Sequence, residues 1–318
     1  MKVYITRRIP EKPVQMLRDA GHTVEIWDGD LPPPRDTLLA AVADADALLC
    51  MLTEMVDDAL LDAAPNLKVI SNFAVGYDNI DVPAVVAREI AVGNTPDVHT
   101  ETTADTAFML LMAAARRLPA AIQDVHSGKW QTWEPLGWLG QDIHHKTLGI
   151  IGFGRIGQAL ARRGRGFGMK IIYYNRSVKP NAEAEMDATR LELDTLLEQS
   201  DFVSLNVPLS DETYHMIGER ELGLMKSSAV LVNASRGGLV DPSALFVALR
   251  AKMIYAAGLD VTEPEPIPST HPLLSLPNCI ITPHIGSASV DARTGIGIRA
   301  AENVIAGLNG EPLPYPIG

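Results

Sequence analysis

The sequence predicts two α/β units, each a parallel sheet covered by crossover helices. Three observations predict it. Short β-branched runs alternate with helical stretches through the first hundred residues, and a second alternating series begins at Thr147. Between the first strand and helix of that second series lies the turn Gly152-Phe153-Gly154-Arg155-Ile156-Gly157. At 318 residues the chain is too long for one typical domain and long enough for two.

In chain order, Val3-Tyr4-Ile5 reads as the first strand and residues 11–20 as a helix closed by Gly21. Strands are expected at 23–27, 46–51 and 68–72, with a short one beginning at Ala91-Val92. A long apolar helix is predicted over 102–118, stopped by Pro119. The stretch 130–142, rich in Trp, Gly and Pro, reads as an extended excursion between helices. The second series places strands at 147–151, 170–174, 202–205, 229–233, 257–260 and 279–282, with helices at 155–166, 193–198 and 243–250 among those between them. A final helix, about 288–308, has no strand of its own to follow. Its return to the first unit would make that unit discontinuous.

Composition narrows the function. With 27 basic and 39 acidic side chains the net charge is −12, which argues against nucleic acid or an anionic membrane as the main partner. The longest apolar stretch, 107–115, is too short to cross a bilayer. Two distant cysteines, Cys50 and Cys279, show no metal or redox spacing and read as reduced thiols of a cytoplasmic protein. The histidines give no ligand spacing beyond the adjacent His144-His145, so no metal is expected.

The glycine turn matches the pattern G-x-G-x-x-G. After a strand and before a helix, its glycines allow a tight turn, backbone approach to a pyrophosphate and close helix packing. The helix N-terminus adds N–H groups for the phosphates. An NAD site usually places an acid at the end of the next strand, to accept from the ribose 2′-hydroxyl. Here that position reads Asn175-Arg176-Ser177, with no acid until Glu183. Arg176 can pair with a 2′-phosphate and Ser177 can donate to it, which favours NADP(H), with NAD(H) still possible. An arginine stacked on adenine, or one simply at the surface, is the alternative.

Three polar residues follow later strands: Arg236, Glu265 and His284. Strand C-terminal ends line the ligand crevice of a parallel sheet, so the three can converge. Reduction of a keto acid needs these types. Arginine offers a bidentate fork for carboxylate and carbonyl, histidine a proton near neutral pH, and a carboxylate fixes the imidazole tautomer.

These residues resemble the D-isomer-specific 2-hydroxyacid dehydrogenase family over nearly the whole chain. The similarity is carried by 148–157, Asn233-Ala234-Ser235-Arg236-Gly237-Gly238, Gly258-Leu259-Asp260-Val261 and Pro283-His284-Ile285-Gly286. Asn94-Thr95-Pro96-Asp97-Val98 and Trp130-Gln131-Thr132-Trp133 lean toward its glyoxylate/hydroxypyruvate reductase branch. The resemblance implies two Rossmann-like or flavodoxin-like doubly wound domains with a cleft between them. Residues 1–98 plus 286–318 would form the substrate domain and 99–285 the dinucleotide-binding domain.

It further implies Arg236 for substrate binding and polarisation, His284 as acid/base and Glu265 as its partner. The amides of Val75 and Gly76 would receive the substrate carboxylate, with Leu52 and Trp138 at the pocket. Gly152, Gly154, Arg155, Ile156 and Gly157 would meet the phosphates, and Val207, Pro208 and Thr213 the adenosine side. Ala234, Asp260, His284 and Gly286 would lie toward the nicotinamide.

The expected reaction is reduction of glyoxylate or hydroxypyruvate to glycolate or D-glycerate by a homodimer joined through the cofactor domain. Trp138 would reach the neighbour's pocket or simply pack in the interface. A corepressor-like dinucleotide-binding module and a phosphoglycerate dehydrogenase-like enzyme are the rivals. The complete Arg236, Glu265 and His284 set favours an enzyme.

Overall fold

The computed structural model describes residues 1–317 and divides into two compact units: Met1–His99 with Ala288–Gly318, and Thr100–Ser287. The first unit contains strands β1 (Lys2–Ile5), β2 (Thr23–Ile26), β3 (Ala47–Cys50), β4 (Val69–Asn72) and β5 (Ala91–Gly93). They form one parallel sheet in the order β2-β1-β3-β4-β5, the flavodoxin-like order. Every residue of β3 and β4 is buried, as expected for central strands with both faces covered.

Helices α1 (Glu11–Asp19), α2 (Arg35–Val42), α3 (Asp58–Ala63) and α4 (Val82–Ala87) connect these strands. Asp57 and Asp81 cap α3 and α4 by accepting from backbone N–H groups of the first turn. Gly21 closes the turn after α1 at φ 84°, where a side chain would be strained.

The second unit begins with α5 (Thr100–Ala115) and α6 (Leu118–His126). The helix expected over 102–118 ends at Ala115, and Pro119 does not stop it but opens a second helix that begins at Leu118. Arg117 takes a left-handed φ of 55° and breaks the run, and Pro119 lies in the first turn of α6, where its missing N–H costs nothing. Seven strands follow: β6 (Thr147–Ile151), β7 (Lys170–Tyr174), β8 (Ala188–Arg190), β9 (Phe202–Leu205), β10 (Val230–Asn233), β11 (Ala256–Leu259) and β12 (Cys279–Ile281). Their order is β12-β11-β10-β9-β6-β7-β8, all parallel, with the reversal between β6 and β9. Helices α7 (Arg155–Gly166), α8 (Pro180–Met186), α9 (Leu193–Gln199), α10 (Glu219–Leu224) and α11 (Pro242–Arg250) complete this Rossmann-like unit.

The last helix, α12 (Val290–Leu308), belongs to the first unit and packs on α1, β3 and β4. Its Ile296, Ala300, Ala301, Val304 and Leu308 share a buried core with Val3, Ile5, Leu49 and Val69. No helix among the described residues is long and apolar enough to cross a membrane.

Candidate active site

The glycine turn bridges β6 and α7 at the reversal of the second sheet. Gly152 has φ 93°, and a Cβ there would run into the Asn206 carbonyl. A Cβ on Gly157 would strike the Gly152 carbonyl. Gly154, by contrast, is exposed and faces open space, with nothing within 4 Å of an added Cβ. It is the N-cap of α7 and supplies no capping side chain. Two glycines therefore let the backbone fold tightly, and the third leaves room in front of the helix N–H groups. Such a cradle fits a pyrophosphate. Arg155 is exposed and Ile156 half-buried beside it.

Asn175 follows β7 and ties this turn to the next loop. Its Oδ1 accepts from Phe153 N–H at 3.2 Å, and its Nδ2 donates to the Ser177 carbonyl at 2.8 Å. Arg176 and Ser177 are exposed. Arg190, on the neighbouring β8, donates through Nε to the Asn175 carbonyl at 3.0 Å. This second guanidinium went unnoticed in the sequence because the three-residue strand that carries it has no periodic signature.

Beyond β9, Val207 and Pro208 lead into a loop stapled by Thr213. The Thr213 hydroxyl donates to the Pro208 carbonyl at 2.8 Å and accepts from Ser210 N–H at 2.8 Å. That hydroxyl thus shapes its own loop.

The three catalytic candidates follow β10, β11 and β12, and the structure brings them together. His284 Nδ1 lies 2.6 Å from Glu265 Oε1. Burial pushes the Glu265 carboxyl up, but the His284 hydrogen bond and charge, the Thr262 N–H and the Arg236 guanidinium together hold it below the usual carboxylate range. Arg236 donates through Nη1 to the Ser235 carbonyl at 2.9 Å, and Asn233 Nδ2 holds the Arg236 carbonyl at 2.8 Å. Ala234 is half-buried in the same turn. A Cβ on Gly237 would collide with the Thr262 carbonyl, so the Arg236 turn and the Glu265 loop can approach only because that position is glycine.

Asp260 is buried, and its carboxylate organises the turn that carries His284. Oδ1 accepts from the Thr282 hydroxyl at 2.6 Å and Ile285 N–H at 2.8 Å, while Oδ2 accepts from Gly286 N–H at 2.6 Å. His284 itself sits at φ 54°, its N–H directed to the Asp260 carbonyl at 2.9 Å. A second His–carboxylate pair braces the Glu265 loop from the other side. His215 Nε2 is 2.6 Å from Glu263 Oε2, and the Tyr214 hydroxyl donates to Glu263 Oε1 at 3.1 Å. Nothing in the local sequence pairs residues 48 positions apart.

In the first unit, Leu52 follows β3 and Val75 and Gly76 follow β4, again at strand C-terminal ends. Val75 and Gly76 are half-buried, whereas Asn72, Asn79 and Glu54 around them are buried polar residues that the sequence reading missed. Trp138 lies in the excursion after α6, with φ 57° and the Arg117 guanidinium 5.0 Å from its ring centroid. No cluster of His, Cys, Asp and Glu capable of holding a metal occurs among the described residues.

Residues 108–286 match the model of the D-isomer specific 2-hydroxyacid dehydrogenase NAD-binding domain. The chain is 53% identical over 317 residues to the glyoxylate reductase of Thermococcus gammatolerans, covering 98% of this chain and 94% of that one. It is 47% identical to the human glyoxylate reductase/hydroxypyruvate reductase, covering 99% and 97% respectively. The crystal structure of the TT0316 protein from Thermus thermophilus superposes with a TM-score of 0.96 at 42% identity, over the full length of both chains.

Proposed function

This chain belongs to the D-isomer-specific 2-hydroxyacid dehydrogenase family, and from that premise we propose that it reduces glyoxylate and hydroxypyruvate to glycolate and D-glycerate, with NADPH preferred over NADH. The observation that carries this reading is the 2.6 Å pair of His284 and Glu265, with the Arg236 charge close enough to act on the same carboxylate.

When bound, a reduced nicotinamide supplies the hydride that reduces C2 of the keto acid. Gly152, Gly154 and Gly157, with the first turn of α7, would hold its pyrophosphate. Arg236 would pair with the substrate carboxylate and carbonyl oxygen, polarising C2. With Nδ1 committed to Glu265, His284 presents Nε2 to the carbonyl oxygen and donates a proton as negative charge builds there. Glu265, kept ionised, fixes the tautomer and orientation of that ring. The N–H groups of Val75 and Gly76 would hold the carboxylate from the first unit. The complete set of Arg236, Glu265 and His284 favours an enzyme over a module that only senses a dinucleotide.

The NADPH preference rests on Arg176 and on the lack of any acid between Asn175 and Glu183. The reading includes a homodimer formed through the second unit. Leu118, Ile122 and Val125 of α6, with Trp130, Trp133, Leu136 and Leu139 beyond it, are all exposed, and exposed large apolar residues concentrated in one segment suit a subunit interface. Two free thiols suit a reducing cytoplasm.

Steady-state kcat/KM for hydroxypyruvate and glyoxylate, each with NADPH and with NADH, tests the reading. Turnover of both substrates with NADPH favoured is expected, and absence of turnover across a panel of 2-keto acids would overturn it. His284→Ala should lower kcat by about 10³-fold while NADPH affinity stays within twofold. Arg176→Ala should weaken NADPH and spare NADH; an equal loss on both would discard the cofactor preference alone.

A further inference from the structure

Three consecutive peptide planes after β4 are held by their carbonyls. The Ala74 carbonyl accepts from Thr95 N–H at 3.0 Å, the Val75 carbonyl from Asn94 Nδ2 at 2.8 Å, and the Gly76 carbonyl from Asn72 Nδ2 at 2.8 Å. The only cis peptides among the described residues precede Pro264 and Pro266, so these three are trans. In a trans peptide the C=O and the following N–H point in opposite directions. Fixing the three carbonyls therefore fixes the N–H groups of Val75, Gly76 and Tyr77, each directed away from the donor that holds its own peptide.

The two asparagines are themselves immobilised. Asn72 is fully buried; its Nδ2 also reaches Asn79 Oδ1 at 3.3 Å, and Cys50 Sγ lies 3.6 Å from its Oδ1. Asn79 Nδ2 donates to the Met51 and Glu54 carbonyls at 3.0 and 2.9 Å, tying this loop to the turn that carries Leu52. The Asn94 backbone is pinned by α12 and the tail: Asn303 Nδ2 holds its carbonyl at 2.9 Å, and its N–H donates to the Tyr315 carbonyl at 3.1 Å.

We propose that Asn94 is a positioning residue for the substrate carboxylate, orienting and polarising the Val75–Gly76 peptide whose N–H receives it. A carbonyl that accepts a hydrogen bond shifts charge across its peptide and makes the attached N–H a better donor, and donors fixed in advance need no reorganisation when the anion arrives. Asn94 acts on the Gly76 N–H through the Val75 carbonyl, while Asn72 holds the next peptide of the loop in place through the Gly76 carbonyl. This inference rests on the reading that the Val75–Gly76 amides take the carboxylate.

The experiment titrates oxalate, a non-reducible mimic of the keto acid, into the full-length protein saturated with NADPH, after selective ¹⁵N-glycine labelling. Oxalate should move the Gly76 amide resonance of the unaltered protein. If it does not, the carboxylate reading fails. Asn94→Ala, and the isosteric Asn94→Asp in case the first disturbs folding, should raise the oxalate dissociation constant and the glyoxylate KM about tenfold. NADPH affinity should stay within about twofold and kcat should fall far less than KM rises. The free-state Gly76 ¹⁵N shift should also move upfield, because its peptide loses the bond on the Val75 carbonyl. A Gly76 resonance that responds to oxalate, with oxalate affinity unchanged in both variants, would overturn the role of Asn94 and leave the carboxylate reading intact.

Discussion

The two sheets of this protein reverse their strand order at different places and furnish those places in opposite ways. In the second unit the edge between β6 and β9 is made by leaving side chains out: Gly152 and Gly157 let the backbone close up, and Gly154 leaves space. In the first unit the edge between β1 and β3 is filled. The Thr6 hydroxyl, just after β1, donates to Glu54 Oε2 at 2.5 Å, and Met51 N–H donates to the same oxygen at 2.7 Å. The Thr53 hydroxyl takes the other oxygen, and Asn79 ties the turn to the loop after β4. Bare backbone can wrap a long cofactor whose phosphates accept many N–H groups. On the proposed reading the first unit takes a ligand of a few atoms, which offers no such grip, so its loops are set from behind by buried side chains.

Substitutions can break this contrast, beginning with the largest effect. Glu54→Leu would strand the Met51 N–H and the buried Thr6 hydroxyl, and should cost the first unit about 3 kcal/mol. Hydrogen exchange in β1 and β3 is the readout, and unchanged protection there would remove the network from the account. In the glycine edge, Gly157→Ala should cost about 2 kcal/mol by overpacking. Gly154→Ala should leave the thermal midpoint nearly unchanged, since its Cβ meets nothing, yet weaken NADPH about tenfold by taking up space meant for phosphate. Equal stability losses in the two would show that the glycines serve folding alone.

Smaller effects sharpen the comparison. His215→Asn removes the brace on the Glu265 loop and should lower kcat about threefold, with KM for NADPH unaffected; a shift in cofactor KM instead would place His215 on the cofactor side.

The two units should not differ in acid. In the first unit the Lys68 and Lys2 contacts outweigh burial at Asp46 and hold it low. At Asp57 burial raises the carboxyl, but the Leu60 N–H and Arg35 outweigh it. In the second unit Arg163 and Arg162 hold Glu101 down against burial. Burial raises Asp201 and Glu265, but Lys226 and Thr147 N–H on the one, and His284 on the other, outweigh it. Each folded value lies below the unfolded one, so the stabilisation is complete above the ordinary carboxylate pKa of about 4 and is lost as pH falls through the folded values. Thermal midpoints should hold between pH 8 and 5 and fall together below about 4. A fall confined to one unit would contradict this.

Much of this was legible in the sequence. Parallel strands buried on both faces announce themselves as apolar runs, so most strands fall within a residue or two of expectation, and Arg236, Glu265 and His284 stand out as polar residues just after such runs. What was hidden depends on three dimensions. Arg117 breaks a pattern that is helical on both sides of it, and residue order carries no mark of a left-handed φ. Glu54, Asn72 and Asn79 work through hydrogen bonds to backbone atoms in other loops, which leave no spacing to read. Asp260 could be named, but that both its oxygens are spent on the His284 turn needed coordinates.

The placement of α12 has a consequence for how the molecule comes into being. Val3, Ile5, Leu49 and Val69 complete their core only with residues 296–308, and Asn303 must arrive before the Asn94 carbonyl has its donor. At about 5–20 residues per second, roughly 200 residues of translation separate the two halves of that core, a wait of order 10–40 seconds. The uninterrupted second unit can close while the ribosome is still at work. The first must sit half-built, an apolar face open to chaperones and to its neighbours on the polysome, until the last helix emerges.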